Sequence, residues 1–129
     1  MLDWQPKAPY TAEQLLEILR ILRDPENGCP WDKVQTHASI RKNFLEETCE
    51  VLEAIDADDP AMLREELGDA LFILCKIAQM SGVDPEDALH RACDKYQGRF
   101  RRVADAADRP LNAYTEAEKI ALWEQAKEN

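Results

Sequence analysis

The sequence predicts an all-α protein, and three observations support that prediction. Apolar residues recur at helical spacing through most of the chain, and no alternating run is long enough for a useful strand. Capping residues, or a proline at the first helical position, open four of the segments. Glycine is scarce, at 4 residues, and aromatic residues make up 7%, which suits helices better than a sandwich or barrel.

Five helices are predicted, and most of their ends carry a recognisable signal. Thr11 with Gln14, and Thr115 with Glu118, form capping boxes at the starts of the first and last helices. The stretch DPENGCPWD, with two prolines, one glycine and one asparagine, predicts a loop after the first helix. The predicted helices cover about residues 11–23, 38–57, 60–81, 85–107 and 115–127.

Length and charge limit the domain count and the classes of partner. The 129 residues, 45% of them hydrophobic, predict one domain over 1–129, with an N-terminal extension at 1–10 and a linker at 108–114. The net charge of −10 disfavours nucleic acid and anionic membranes as partners. An acidic chain of this kind still binds polyphosphates if a metal ion bridges the two.

The cysteines and the N-terminus indicate a cytoplasmic protein. The four cysteines are 18 to 26 residues apart, so no C-x-x-C pair and no zinc-finger spacing occurs, and buried free thiols are the simplest interpretation. The first ten residues lack the apolar stretch of a signal peptide. No run of 18 apolar residues predicts a membrane span.

Acidic residues on the second helix lie where a buried face is expected. At about 100° per residue, Ile40, Phe44, Val51 and Ile55 mark one apolar arc. Glu47 lies on the margin of that arc and Glu50 lies about 60° further out. Glu46 points to the solvent side.

The third helix repeats the arrangement. Glu66 interrupts an apolar arc that includes Leu63, Ala70, Leu74 and Ile77, and Asp69 is one turn further on. A short connection makes the two helices antiparallel neighbours, so Glu47, Glu50, Glu66 and Asp69 are expected to converge. Carboxylates on a core margin are costly unless a cation joins them, and an all-oxygen site favours Mg²⁺ or Mn²⁺.

Two other interpretations of these acids compete with a Mg²⁺ or Mn²⁺ site. The E-E-x-x-E pattern alone is a weak signal in a glutamate-rich chain, but the matching E-x-x-D on the next helix strengthens it. A di-iron bundle requires Glu-x-x-His pairs, and neither His37 nor His90 follows a glutamate by three positions. The di-iron alternative is therefore set aside.

These motifs resemble those of MazG-type nucleoside triphosphate pyrophosphohydrolases. The resemblance rests on EETCE and EELGD, on LRDPENGCPWDKVQTHASI (22–40) and on ALHRACDKYQGRF (88–100), with a weaker match at LWEQAK. It implies a single-domain member that hydrolyses a ribo- or deoxyribonucleoside triphosphate to the monophosphate and pyrophosphate. It also implies that Glu47, Glu50, Glu66 and Asp69 bind Mg²⁺, and it leaves the role of Glu46 open: orienting water, binding a second ion, or no catalytic role.

The resemblance also implies which residues hold the nucleotide. Lys95 and Arg99 are expected on the triphosphate, Lys127 near the phosphates and Trp123 near the base, although Trp123 as a packing residue is an open alternative. Trp31 either stacks on a base or staples its loop, Lys33 is a candidate phosphate contact, and Arg102 is interpreted as a solvated edge. Many members have asparagine where this chain has Cys93, which affects the expected base selectivity rather than the chemistry.

The helical hairpin is expected to need a second copy. Two helices with acids on their core margin do not cover a nucleotide alone, so a homodimer with a four-helix-bundle core is predicted. Two alternative functions remain. One is a pyrophosphatase specific for one nucleotide, such as dCTP, dUTP or phosphoribosyl-ATP, and the other is a non-catalytic helical interaction protein.

Overall fold

The computed structural model describes residues 10–127, and this part of the chain is all-α, as predicted. It contains five α-helices and no strand. The helices are α1 (Ala12–Leu22), α2 (His37–Asp56), α3 (Pro60–Met80), α4 (Pro85–Ala106) and α5 (Glu116–Lys127). Two 3₁₀ turns, Asp32–Val34 and Leu111–Ala113, lie in segments predicted as loop and linker. Most of the predicted N-terminal extension, residues 1–9, lies outside the described residues.

Helix ends follow the local chemistry of the sequence. The Thr11–Gln14 capping box is present at the start of α1, and Asp59 accepts hydrogen bonds from the amides of Ala61 and Met62 at the start of α3. Thr115 and Glu118 exchange backbone and side-chain hydrogen bonds at the start of α5. These contacts satisfy amide groups that have no partner inside the helix.

The chain divides into two compact units, one ending at Pro85 and the other beginning at Glu86. In the first unit α2 and α3 pack along each other as a hairpin, and α1 packs against α3. His37 at the start of α2 lies 3.1 Å from the Ser81 hydroxyl just after α3, as an antiparallel pair requires. Among the described residues of this unit, the buried apolar side chains are Ile18, Leu19, Ile40 and Ala54.

The second unit contains α4 and α5. Val103 and Ala126 are buried in it, and Trp123 contacts the rings of Tyr96 and Phe100. The segment before α5 is held by side chains, since the Tyr114 hydroxyl donates to Asp108 at 2.6 Å and the Arg109 guanidinium lies 3.8 Å from the Tyr114 ring centre. The residues predicted as a linker are therefore joined to one another and to Glu118.

Two residues assigned to the buried arcs by periodicity lie at the surface of this chain. Ile55 is 55% exposed and Leu74 is 46% exposed. The helical angle gives the side of the helix on which a side chain lies. The neighbouring helix covers only part of that side, so some of its residues stay exposed. Within residues 10–127 no helix combines the length and apolar character that a membrane crossing requires.

Candidate active site: an acidic cluster between two helices

Carboxylates from α2 and α3 meet in the first unit. One oxygen from each of Glu47, Glu66 and Asp69 lies within 4.8 Å of the others. Glu50 lies beside this group, since it is one of the acids that raise the pKa of both Glu47 and Glu66. Three of the four acids that the sequence selected therefore lie in one group, with Glu50 beside it, because each helix presents two acids one turn apart and the helices run antiparallel.

The local electrostatics of this cluster are unfavourable for carboxylates alone. Glu47 Oε2 and Glu66 Oε2 are buried, and neither accepts a hydrogen bond from any described residue. Loss of solvation and the neighbouring Glu50 and Asp69 raise the pKa of Glu47. Loss of solvation, the hydrogen bond with Glu50 and the surrounding acids raise the pKa of Glu66 to about 7. The cluster therefore has a strong preference for a proton or a cation.

The donor set suits a hard divalent cation. All candidate ligands are carboxylate oxygens, and the described residues contribute neither histidine nor cysteine to the group. Magnesium and manganese take oxygen ligands of this kind, whereas zinc and copper favour nitrogen and sulfur. The buried Oε2 atoms of Glu47 and Glu66, which accept no hydrogen bond from the described residues, are the specific observation that fits a cation at this place.

Glu46 lies apart from the cluster, on the solvent side of α2. Its carboxylate is 4.0 Å from the Lys42 ammonium, and more than half of its side chain is exposed. Glu46 therefore points to the solvent side of α2, as its position around the helix predicted.

The loop between α1 and α2 carries Trp31 and Lys33. Trp31 is 79% exposed, so it does not act as a staple for the loop. Lys33 donates a hydrogen bond to the Pro25 carbonyl at 3.4 Å, which ties it to its own loop. The adjacent Asp32 forms an ion pair with Lys76 of α3 at 2.6 Å.

The second unit holds the remaining sequence-selected residues. The Tyr96 and Trp123 rings stack with centres 6.1 Å apart, the Lys95 ammonium lies 4.9 Å from the Tyr96 ring centre, and the Arg99 guanidinium lies 5.9 Å from that of Trp123. Lys127 pairs with Glu124 at 2.9 Å. Trp123 is therefore a packing residue in this unit.

Arg102 differs from its sequence interpretation as a solvated edge. Its side chain is half-buried, and its Nε donates to the Ala126 carbonyl at 3.0 Å. This bond ties α4 to the end of α5, where helix carbonyls lack partners within the helix. Arg102 is a structural residue.

Comparison with known proteins identifies the family. A family model described as the MazG nucleotide pyrophosphohydrolase domain matches residues 35–104, more than half of the chain. The chain belongs to the MazG family. The matched MazG segment contains all four clustered acids together with Lys95 and Arg99.

Individual relatives agree with this assignment. A nucleoside triphosphate pyrophosphohydrolase from Escherichia coli is 43% identical over 115 residues, which cover 89% of this chain and 44% of the relative. A nucleoside triphosphate pyrophosphohydrolase/pyrophosphatase MazG from Thermotoga maritima is 36% identical over 125 residues, with 94% and 48% coverage. The chain thus spans about half the length of these curated relatives.

A solved structure supports the fold. The crystal structure of a mazG-related protein from Thermotoga maritima superimposes with a TM-score of 0.63 at 28% identity. The alignment covers 91% of this chain and 99% of that one. The family resemblance read from the motifs is confirmed.

Sequence reasoning missed three residues that shape the region before the MazG helices. Lys76 and Arg23 anchor the loop, and Gly28 allows its close approach to the backbone of Leu22 and Asp24. A signal for Lys76 was present, because it is the only charged residue in the apolar run ALFILCKIAQM. Its partner, 44 residues earlier, could not be identified from spacing.

Proposed function

We propose that this protein hydrolyses ribo- or deoxyribonucleoside triphosphates to the monophosphate and pyrophosphate in a Mg²⁺-dependent reaction. The observation that carries the proposal is the pair of buried, unpartnered oxygens on Glu47 and Glu66 beside Asp69. Membership of the MazG family and the names of the relatives support a nucleotide as the substrate.

Glu47, Glu50, Glu66 and Asp69 are the residues that would hold the cation. When bound, Mg²⁺ supplies positive charge to phosphate oxygens and a more acidic water, and Mn²⁺ is a chemically reasonable substitute. We assign Glu46, Glu47 and Glu50 of α2 to orienting the attacking water. Because Glu46 is exposed and lies near Lys42, we give it the smallest part in this role.

The reaction breaks one phosphoric anhydride bond. Water oxygen forms a bond to the α-phosphorus, and the bond from the α-phosphorus to the oxygen that bridges to the β-phosphate breaks. Pyrophosphate leaves with that oxygen, and the proton from water passes to a carboxylate or to solvent. The relatives' names support pyrophosphate, rather than orthophosphate, as the leaving group.

Cationic and aromatic residues are assigned to the rest of the nucleotide. We assign Lys95, Arg99 and Lys127 to the phosphates, and Trp123 to the neighbourhood of the base. From the loop, Trp31 and Lys33 are further candidates for the base and the phosphates. Trp31 is the better candidate of the two, because its ring is 79% exposed whereas Lys33 already donates to Pro25.

We propose a homodimer as the working assembly. Leu45, Cys49 and Leu52 form an exposed stripe on α2, and Leu67, Leu71 and Leu74 repeat the same spacing on α3. Exposed apolar stripes of this extent on neighbouring helices are typical of surfaces that a partner covers. A second copy would complete the four-helix bundle expected from the hairpin.

The cell compartment is proposed from the cysteines. Cys29, Cys49, Cys75 and Cys93 are all free thiols. Unpaired cysteines fit a reducing environment, so we place the reaction in the cytoplasm.

The test is product analysis by anion-exchange chromatography. The protein is incubated with each common and modified nucleoside triphosphate, with Mg²⁺ and with EDTA, beside Glu50→Gln, Glu66→Gln and the exposed α2 control Glu53→Gln. We expect monophosphate and pyrophosphate only with Mg²⁺, a loss of about a hundredfold or more in kcat/KM for the first two variants, and full activity for the control.

Other products would reject specific parts of the proposal. Diphosphate with orthophosphate would place the attack at the wrong phosphorus. Turnover of one nucleotide alone would select the nucleotide-specific alternative. No turnover, together with an unchanged melting temperature on adding Mg²⁺ and a non-hydrolysable analogue, would favour the non-catalytic interaction protein.

A further inference from the structure

The Asp32–Lys76 ion pair is unlike the others in the described part of the chain. Its side chains are 16% and 14% exposed, whereas the side chains of the other described ion pairs are at least 40% exposed. Partial burial raises the pKa of Asp32, but hydrogen bonds from Lys76 and Cys29 outweigh that effect and lower it overall. A shielded pair of this kind holds a defined geometry that an exposed pair does not.

This pair attaches the loop to the helix that carries half of the acidic cluster. Asp69 and Lys76 are seven residues apart on α3, so they point within about 20° of each other and lie roughly 10 Å apart along the helix axis. Arg23 strengthens the attachment, because its Nη1 donates to the carbonyls of Asp32 and Gln35 at 2.7 and 3.3 Å.

Trp31 is adjacent to the attachment point but is not used for packing. Asp32 is 16% exposed on its side chain, whereas Trp31 is 79% exposed. The anchored backbone therefore presents the Trp31 ring to solvent, where a flat ligand can cover it. The separation of Lys76, the attachment point, from Asp69 along α3 is comparable with the extent of a nucleoside triphosphate from its phosphates to its base.

We propose that the Asp32–Lys76 ion pair is a positioning device that holds Trp31 as a stacking platform for the substrate's nucleobase while the acidic cluster serves the phosphates. This inference rests on the proposed function. Lys76 acts through Trp31 and does not touch the nucleotide. An aromatic platform stacks on any base, so the device contributes affinity without choosing among bases.

The expected signature is a change in KM with little change in kcat. Trp31→Ala removes the platform, and Lys76→Met removes the ion pair while keeping a side chain of similar length. Each variant should raise KM about tenfold, the order of magnitude of base–aromatic stacking, because the acids that serve the reacting phosphorus are unchanged. Trp31→Phe keeps an aromatic ring at the platform and should stay close to wild type.

A double-mutant cycle distinguishes positioning from general damage. If Lys76 acts through Trp31, the Trp31→Ala/Lys76→Met double variant should have the same KM as Trp31→Ala alone. Asp32→Asn removes the charge of the other partner in the same ion pair. It provides the test if the Lys76→Met protein does not fold. The control is Arg20→Met, which breaks an exposed ion pair in the same unit and should leave KM unchanged.

The outcomes separate this inference from the function on which it rests. Equal KM values for Trp31→Ala and the double variant, with unchanged kcat, support the positioning role. The positioning role would be overturned if the KM increases of the two single variants multiply in the double variant. An unchanged KM in folded Lys76→Met and Asp32→Asn proteins would also overturn it, and neither result would contradict the proposed hydrolysis. A wild-type protein that hydrolyses no nucleotide would overturn both.

Discussion

At the scale of single residues, the important feature is a conflict between burial and charge. Glu47 and Glu66 each bury an oxygen that receives no hydrogen bond within the described chain, beside two further acids. A carboxylate in that position is stabilised by a proton at low pH or by a cation at neutral pH. The charged cluster therefore reduces the stability of the metal-free fold, and the same arrangement of carboxylates favours a bound cation.

This conflict predicts how the stability of the metal-free protein depends on pH. The pKa of Glu66 is about 7 in the folded chain, against an ordinary value of 4.5, so between these values the folded state binds more protons than the unfolded state. Its stabilising contribution is complete below about pH 4.5 and is lost as pH rises through 7. Urea denaturation in EDTA should show the free energy of unfolding falling across this window.

The Glu66→Gln variant identifies the group responsible. It should show a shallower fall, with a remainder from Glu47, whose pKa is also raised. The exposed neighbour Glu65 supplies the matched control, Glu65→Gln, which should retain the wild-type slope. Identical slopes in Glu66→Gln and wild type would mean that Glu66 titrates normally.

At the scale of elements, the sequence locates the helices and the structure explains the loop. Every predicted helix is present, with ends that differ from the prediction by at most one residue. The loop after α1 has its own internal contacts: Asp24 accepts hydrogen bonds from the amides of Glu26 and Asn27 at 3.0 and 2.7 Å, and these bonds lower the pKa of Asp24. A three-residue 3₁₀ turn has no periodicity that a sequence pattern could reveal.

The loop and α3 each contain a glycine, and the two should respond oppositely to alanine. A Cβ on Gly28 would lie 2.5 Å from the Leu22 carbonyl oxygen and 2.7 Å from the Asp24 amide nitrogen, whereas a Cβ on Gly68 would meet nothing within 4 Å. Urea denaturation should give a loss of about 1 to 3 kcal/mol for Gly28→Ala. It should give a gain of about 0.5 to 1 kcal/mol for Gly68→Ala, because alanine favours the helix. An equal effect at both positions would contradict the steric argument.

At the scale of the whole molecule, the exposed leucines of α2 and α3 are the main feature left without a function in the single chain. Leu45 is 64% exposed and Leu71 is 62% exposed, although both lie on helices that pack against each other. Burying such side chains is favourable by about 1.5 to 3 kcal/mol each, which is a strong force for association. The homodimer proposed above would cover them.

A charge placed in the stripe should break the dimer. Leu71→Glu would bury an unpaired carboxylate at the interface, so we expect the dimer dissociation constant to rise about thirtyfold or more. Light scattering coupled to gel filtration measures the mass directly. Ile120→Glu is the matched control, since Ile120 is 61% exposed but lies on α5. Wild-type mass in Leu71→Glu, or a monomeric wild type, would reject this interface.

The sequence by itself determined the helices, their caps and the register of the four acids. All of these depend on residues within about two helical turns, where spacing sets direction. The short α2–α3 connection then made the hairpin antiparallel, which was enough to predict that Glu47 and Glu66 would meet.

Only the tertiary structure decided the contacts between residues distant in sequence. The Asp32–Lys76 pair, the exposure of Ile55 and Leu74, and the burial of Arg102 against Ala126 each depend on which surface a neighbouring element covers. Periodicity gives the direction of a side chain around its own helix. It does not specify which distant carboxylate meets a lysine, because that is settled by packing, where shape and desolvation select one partner among many.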